Sequence, residues 1–192
     1  MTRHLRLGLL AGVLAATCMA AWRTPQAESV TDRLGRGDYV LAATDGGTFT
    51  EEALKGRPSA VFFGFTRCPD ICPTTLGDIA AWRDVLGPEA DEIRFWFVTV
   101  DPERDTIDLM RKYVSWTPGV TGVAGTPEET AKAVAAFRVY VNKAPFGDGD
   151  YTIDHSALVM LFGRDGRFAD AIRYQEPPQD AVAKLRLLLT GG

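Results

Sequence analysis

Two thiols stand four positions apart in the stretch FFGFTRCPDICPTTL (residues 62–76): Cys68 and Cys72. The 192-residue chain holds three cysteines and two histidines, and the remaining ones, Cys18 and His4, fall near the N-terminus. Setting that end aside leaves Cys68, Cys72 and a single imidazole, His155, for the folded part. Such a set has few chemical uses. The thiols form a structural disulfide, or they work as a redox pair, or they join His155 in holding a soft metal. Taken alone the C-x-x-x-C spacing is a weak motif, and a lone histidine is ordinarily a surface or satisfied core residue.

Thiolate is the form that both attacks disulfides and ligates metals. It selects Cu(I), and an added imidazole also suits Cu(II). Structural zinc normally takes four protein ligands, so zinc here would need a carboxylate as well. Asp101, at the end of an apolar run, leaves its strand beside Cys68 if the two strands are parallel neighbours. There it would orient His155 or tune the thiols from behind; its plainer reading is the cap of the Pro102-Glu103 turn. No Ser/His/Asp set, phosphate loop or glycosidase carboxylate pair is present.

The elements that must position these residues can be traced along the chain. Asp45-Gly46-Gly47 sits between Asp38–Thr44 and Thr48–Thr50, a hairpin signal. SAVFFGFT (59–66) and RFWFVTV (94–100) are apolar without alternation, as in strands covered on both faces. Between them the spacing of Leu76, Ile79, Ala80 and Leu86 predicts a helix from about Thr74, preceded by Cys72. A thiol at that helix entrance meets backbone N–H groups and the positive end of the helix dipole. If residues 68–72 form a helix-like turn, positions i and i+4 share a face and the sulfurs converge.

Asp105 is the expected cap of a helix to Val114, with Leu109, Met110 and Tyr113 facing inward. Thr126-Pro127-Glu128-Glu129 reads as a capping box with proline at the first helical position, and Val134 and Phe137 as that helix's buried stripe. GDGDYTIDHSALVM places His155 where a flexible loop end runs into a strand. Strands near 156–162 and 168–174 turn on Asp165-Gly166, and a last helix follows Pro177-Pro178 with Ala181, Leu185, Leu188 and Leu189 inward. This order predicts an α/β domain with a mixed central sheet flanked by helices, an N-terminal hairpin and a late β-hairpin. The thioredoxin-like arrangement fits it.

The start of the chain reads as targeting. Arg3 and Arg6 precede an apolar run from Leu7 to Trp22, closed by Arg23, the layout of a signal peptide or signal anchor over 1–23. Cys18 follows Ala15-Ala16-Thr17, a poor lipobox, and is read as a small apolar residue. Residues 24–37 read as a polar linker, and 38–192 as one domain facing an oxidising compartment. The formal net charge is −4 with no basic run, which excludes nucleic acid as an expected partner.

Four segments carry a family resemblance: GFTRCPDICPTTL (64–76), VDPERDT (100–106), GTPEETAKAVAAFRVYV (125–141) and DYTIDHSALVMLFGRDGRF (150–168). In order, and across roughly residues 38–190, they resemble the Sco/SenC family of copper-binding proteins. The resemblance implies a membrane-tethered, thioredoxin-fold protein that binds Cu(I) or Cu(II) through Cys68, Cys72 and His155, with Asp101 at the family's acidic position. It implies a metallochaperone that helps assemble the dinuclear copper A centre of cytochrome c oxidase subunit II. Other periplasmic copper chaperones would be further partners, and the periplasmic face of the inner membrane the location. The family also includes thiol–disulfide reductases acting on oxidase subunit II or on copper chaperones, which would use Cys68 and Cys72 and spare His155. A peroxidase reading rests on Thr66 ahead of Cys68, but the interval is one residue too short and no matching arginine stands out.

Overall fold

The structure, a computed structural model, describes residues 29–147 and 149–191. The expected signal segment and the start of the linker lie outside the described residues. Residues 29–37, expected as linker, are joined to the domain. Gly35 N–H donates to the Ala136 carbonyl at 3.0 Å, and the Tyr39 hydroxyl donates to the Gly35 carbonyl at 2.7 Å.

The expected first hairpin forms from β1 (Leu41–Ala43) and β2 (Thr48–Phe49). Next come β3 (Ser59–Gly64), buried at every position, α1 (Ile71–Leu86) and β4 (Arg94–Thr99). α2 (Ile107–Val114), β5 (Val120–Ala124) and α3 (Pro127–Ala136) continue the alternation. A second hairpin, β6 (Val141–Phe146) and β7 (Asp150–His155), then precedes β8 (Leu158–Phe162), β9 (Phe168–Arg173) and α4 (Pro178–Thr190).

Among the described residues seven strands form one sheet in the order β2-β1-β5-β4-β3-β8-β9, while β6 and β7 pair only with each other. β3, β4 and β5 run parallel, and β1, β8 and β9 are antiparallel to their neighbours. The central strands bury both faces, as their unalternating apolar runs require. On one face Phe62 meets Phe97, which stacks on Tyr113 of α2, and Arg83 of α1 lies over Phe95. On the other, Phe63, Phe49 and Trp96 gather around Phe137 at the end of α3. Each of these buried rings is worth about 1.5–3 kcal/mol relative to exposure. Among the described residues no helix is long and apolar enough to cross a membrane.

Three local expectations are corrected. α1 begins at Ile71 rather than Thr74, so Cys72 lies inside its first turn. Pro73 does not prevent this, because first-turn N–H groups lack intrahelical partners. Thr106, not Asp105, caps α2, its hydroxyl accepting from Leu109 N–H at 3.3 Å. Leu109 faces outward, 38% exposed, while Met110 is fully buried. The start of α3 is as expected: Thr126 accepts from Glu129 N–H behind Pro127.

Candidate metal centre

Topology brings the three donors together. β3 runs into the cysteine loop, and β8 lies antiparallel beside it, with Val159 opposite Phe62. The start of β8 therefore lies at the end of β3, and His155, three residues before β8, arrives over the cysteines. The edge of its ring meets Phe65 at a centroid distance of 5.9 Å.

The loop itself is pinned from below. Thr66 donates through its N–H (3.0 Å) and its hydroxyl (2.5 Å) to the Asp105 carboxylate, which also accepts from the Thr99 hydroxyl at 2.7 Å. Cys68 N–H then donates to the Phe65 carbonyl, closing a turn. Cys72 N–H, in the first turn of α1, donates to Cys68 Sγ at 3.3 Å. Cys68 is half-buried, Cys72 fully buried, and both are free thiols.

Cys72 Sγ lies 3.7 Å from His155 Nε2. His155 Nδ1 is 2.9 Å from the Ser156 carbonyl, which can only accept, so Nδ1 carries a proton and Nε2 is the ring nitrogen turned to the cluster. The three ligand atoms all lie within 4.8 Å of one another. The charge is divided unequally. Hydrogen bonding from the Cys72 thiol, helped by His155 and by the Cys72 backbone N–H, outweighs burial and holds the Cys68 thiol down to about 4. The same pairing, together with burial, pushes the Cys72 thiol up. One sulfur is thus a ready nucleophile and ligand, and its neighbour keeps its proton until a stronger partner displaces it.

Asp101 is fully buried behind the site, and β3 and β4 are parallel, so it leaves its strand on the cysteine side. Its carboxylate, however, engages Arg104 Nε and the Tyr151 hydroxyl, the latter at 2.6 Å, and not the imidazole. It meets His155 through the chain, since Tyr151 lies four residues before it on β7. Sequence reasoning missed Arg104, Asp150, Tyr151 and the anchoring role of Asp105. Only the Asp101/Arg104 spacing of three hinted at a local ion pair.

A thioredoxin-like domain whose cysteine loop has acquired an imidazole is the class that this fold and this cluster define. The SCO1/SenC family profile matches residues 27–190, and the chain belongs to that family. It is 39% identical over 141 residues to the mitochondrial SCO2 homolog of Danio rerio, covering 71% of this chain and 50% of that protein. The chain thus spans about half the length of that relative. It is 30% identical over 191 residues to a SCO2-like protein of Rickettsia conorii, covering 94% of this chain and 93% of the other. Among solved structures, Bradyrhizobium japonicum ScoI with copper bound superposes with a TM-score of 0.74 at 42% identity, covering 81% of this chain and 99% of that one.

Proposed function

We propose that this protein is a copper metallochaperone that binds Cu(I) and Cu(II) through Cys68, Cys72 and His155. We assign it to assembly of the dinuclear copper A centre of cytochrome c oxidase subunit II. The observation that carries the reading is the convergence of two sulfurs and one imidazole nitrogen within 4.8 Å. Two thiolates with one imidazole suit copper in both oxidation states. Among the described residues no fourth His, Cys, Asp or Glu joins the cluster, which disfavours a four-ligand zinc site. The copper bound to the Bradyrhizobium relative supports the same choice.

Within this reading Cys68 engages the metal first as thiolate, Cys72 follows on losing its proton, and Nε2 completes the trio. Asp101 acts behind them by holding Tyr151 on the strand that carries His155. The domain over 38–192 works at the periplasmic face of the inner membrane, tethered by segment 1–23 or released from it. It meets subunit II and other periplasmic copper chaperones there.

A second reading has its own support in the low thiol of Cys68 beside a buried partner. As a thiol–disulfide reductase, Cys68 thiolate attacks a substrate disulfide and forms a mixed disulfide, releasing one substrate thiolate. Cys72 gives its proton to the released substrate thiolate and then attacks Cys68 Sγ, which yields the Cys68–Cys72 disulfide and expels the second substrate thiolate. Copper titration of the wild-type domain and its Cys68→Ala, Cys72→Ala and His155→Ala variants separates the two. The carrier reading expects one copper per chain, a thiolate-to-Cu(II) charge-transfer band, and weakened Cu(II) binding in His155→Ala with dithiol oxidation intact. Copper binding that is absent, or indifferent to His155, overturns it.

A further inference from the structure

The hairpin that carries His155 lies outside the seven-stranded sheet, and its two strands pair only with each other. Ile153 is the one buried residue of its two strands, and Phe146 near the tip is 68% exposed. Its apolar packing is limited to Ile153 with the partly buried Val141 and Tyr151. The polar contacts that tie it to the domain gather around one guanidinium.

Arg104 lies in the turn after β4, its side chain 13% exposed. Nε donates to the buried Asp101 carboxylate. Nη1 donates to Asp150 Oδ1 and to the Tyr151 carbonyl, both at 2.9 Å, and these are the first two residues of β7. The guanidinium also stacks over the Tyr151 ring, 3.7 Å from its centroid. Around this hub, the Tyr151 hydroxyl donates to Asp101, Lys143 of β6 pairs with Glu103 at 2.7 Å, and Arg67, next to Cys68, reaches Asp150 at 3.5 Å. The turn that bears Arg104 is itself bound to the cysteine loop, because Asp105 holds Thr66. Cysteine loop and hairpin are thus indexed to the same turn.

We infer that Arg104 is a positioning residue that clasps the β6–β7 hairpin to the turn after β4 and so holds His155 at the two thiols. Exposed ion pairs contribute little, and Asp150 is itself 53% exposed; the clasp rests on the mostly buried guanidinium, which forks between Asp101, Asp150 and the Tyr151 carbonyl, a geometry lysine cannot reproduce. For its metal readout the inference rests on the copper reading above; its readout on the metal-free protein does not.

The test is Arg104→Gln, with Arg104→Lys and His155→Ala as companions. In the metal-free wild-type and Arg104→Gln proteins, amide hydrogen exchange is followed through residues 141–155 and through β3 and β4. The clasp expects at least about tenfold faster exchange in the hairpin and unchanged protection in the central strands. Cu(II) affinity is expected to fall about 10–100-fold, the usual consequence of losing a group that orients a ligand. Arg104→Lys should fall between. In the His155→Ala background, Arg104→Gln should cost no further Cu(II) affinity, because its route of action is already gone. Unchanged hairpin exchange overturns the clasp, and so does faster exchange spread over the whole sheet. An equal loss of affinity in the His155→Ala background overturns the route through the imidazole. If the wild type binds no Cu(II), the copper reading falls, and hydrogen exchange alone decides the clasp.

Discussion

Gly64 and Cys72 are packed so closely that a Cβ on the glycine would stand 2.7 Å from Cys72 Sγ, and 2.6 Å from Cε2 of Phe97. The last residue of β3 thereby sets how deeply the second sulfur sits. Gly64→Ala should destabilise the fold by about 1–3 kcal/mol, the usual cost of overpacking. It should also displace the sulfur and alter the Cu(II) charge-transfer band. Adding Phe97→Leu relieves the ring but not the sulfur, so stability should recover in part while the band stays changed. Urea denaturation and absorption spectroscopy measure the two effects. A Gly64→Ala protein with wild-type stability and spectrum would remove this role.

The two thiols should titrate far apart. Cys68 is lowered from an ordinary value of 9.0 to about 4, so it is thiolate throughout the neutral range. In the metal-free protein iodoacetamide should modify Cys68 before Cys72. The rate should stay flat from about pH 8 to about pH 5 and drop as the pH nears 4, since thiolate is the reacting form. Mass spectrometry of the alkylated protein reads this directly. A rate that climbs steeply between pH 7 and 9 would mean an ordinary thiol.

Copper should displace a proton from Cys72. Burial and the neighbouring thiolate keep that thiol protonated at neutral pH, whereas metal ligation needs it ionised. Titrating Cu(I) into weakly buffered protein at neutral pH should release close to one proton per metal, because Cys68 is already ionised and Cys72 is not. A pH electrode or indicator dye suffices. Release of close to two protons, or of none, would contradict the unequal division of charge.

Thr106 takes the capping role expected of Asp105, and mutation distinguishes their contributions. Asp105→Ala strips the partner from the Thr66 N–H, the Thr66 hydroxyl and the Thr99 hydroxyl. It should cost at least about 2 kcal/mol, given the worth of hydrogen bonds to a charged group. Thr106→Ala removes a helix cap alone and should cost about 1 kcal/mol. Chemical denaturation of both variants gives the order, and a costlier Thr106→Ala would contradict it.

The parts of the fold that were legible are those whose residues serve one purpose. The unalternating runs at β3 and β4, the Asp45-Gly46-Gly47 and Asp165-Gly166 turns, and the Thr126-Pro127 helix start each carry a local signal that the tertiary structure leaves intact. β5 is different, because VTGVA breaks its apolar run with a glycine. Gly122 is there for packing: a Cβ would meet Thr44 Cγ2 at 3.0 Å and Met110 Cβ at 3.3 Å. The β6–β7 hairpin was hidden by a glycine-rich tip, by Pro145 within a strand, and by an outward polar face that reads as loop. Pro145 is tolerated because the ribbon has only two strands, leaving each strand an open edge.

The three residues that converge were visible as candidates by residue type, since Cys68, Cys72 and His155 have no competitors in the folded part, but choosing metal binding among their uses took the family resemblance. Their supports were not visible. Asp105 looked like a cap because it stands just before a helix, and the reading of the sequence left Arg104 without a role. Both acquire their roles through partners 39 to 47 positions away, Thr66 for the carboxylate and Tyr151 for the guanidinium.

Cys72 and His155 are 83 positions apart in the chain. A metal that stayed bound to both on unfolding would act on the unfolded chain as a disulfide does, closing a long loop whose entropy is worth about 4–5 kcal/mol by the loop-closure relation. Cargo loading and thermal resistance would then be one quantity. The loaded domain would melt well above the empty one, so surrendering the metal returns the protein to its softer form.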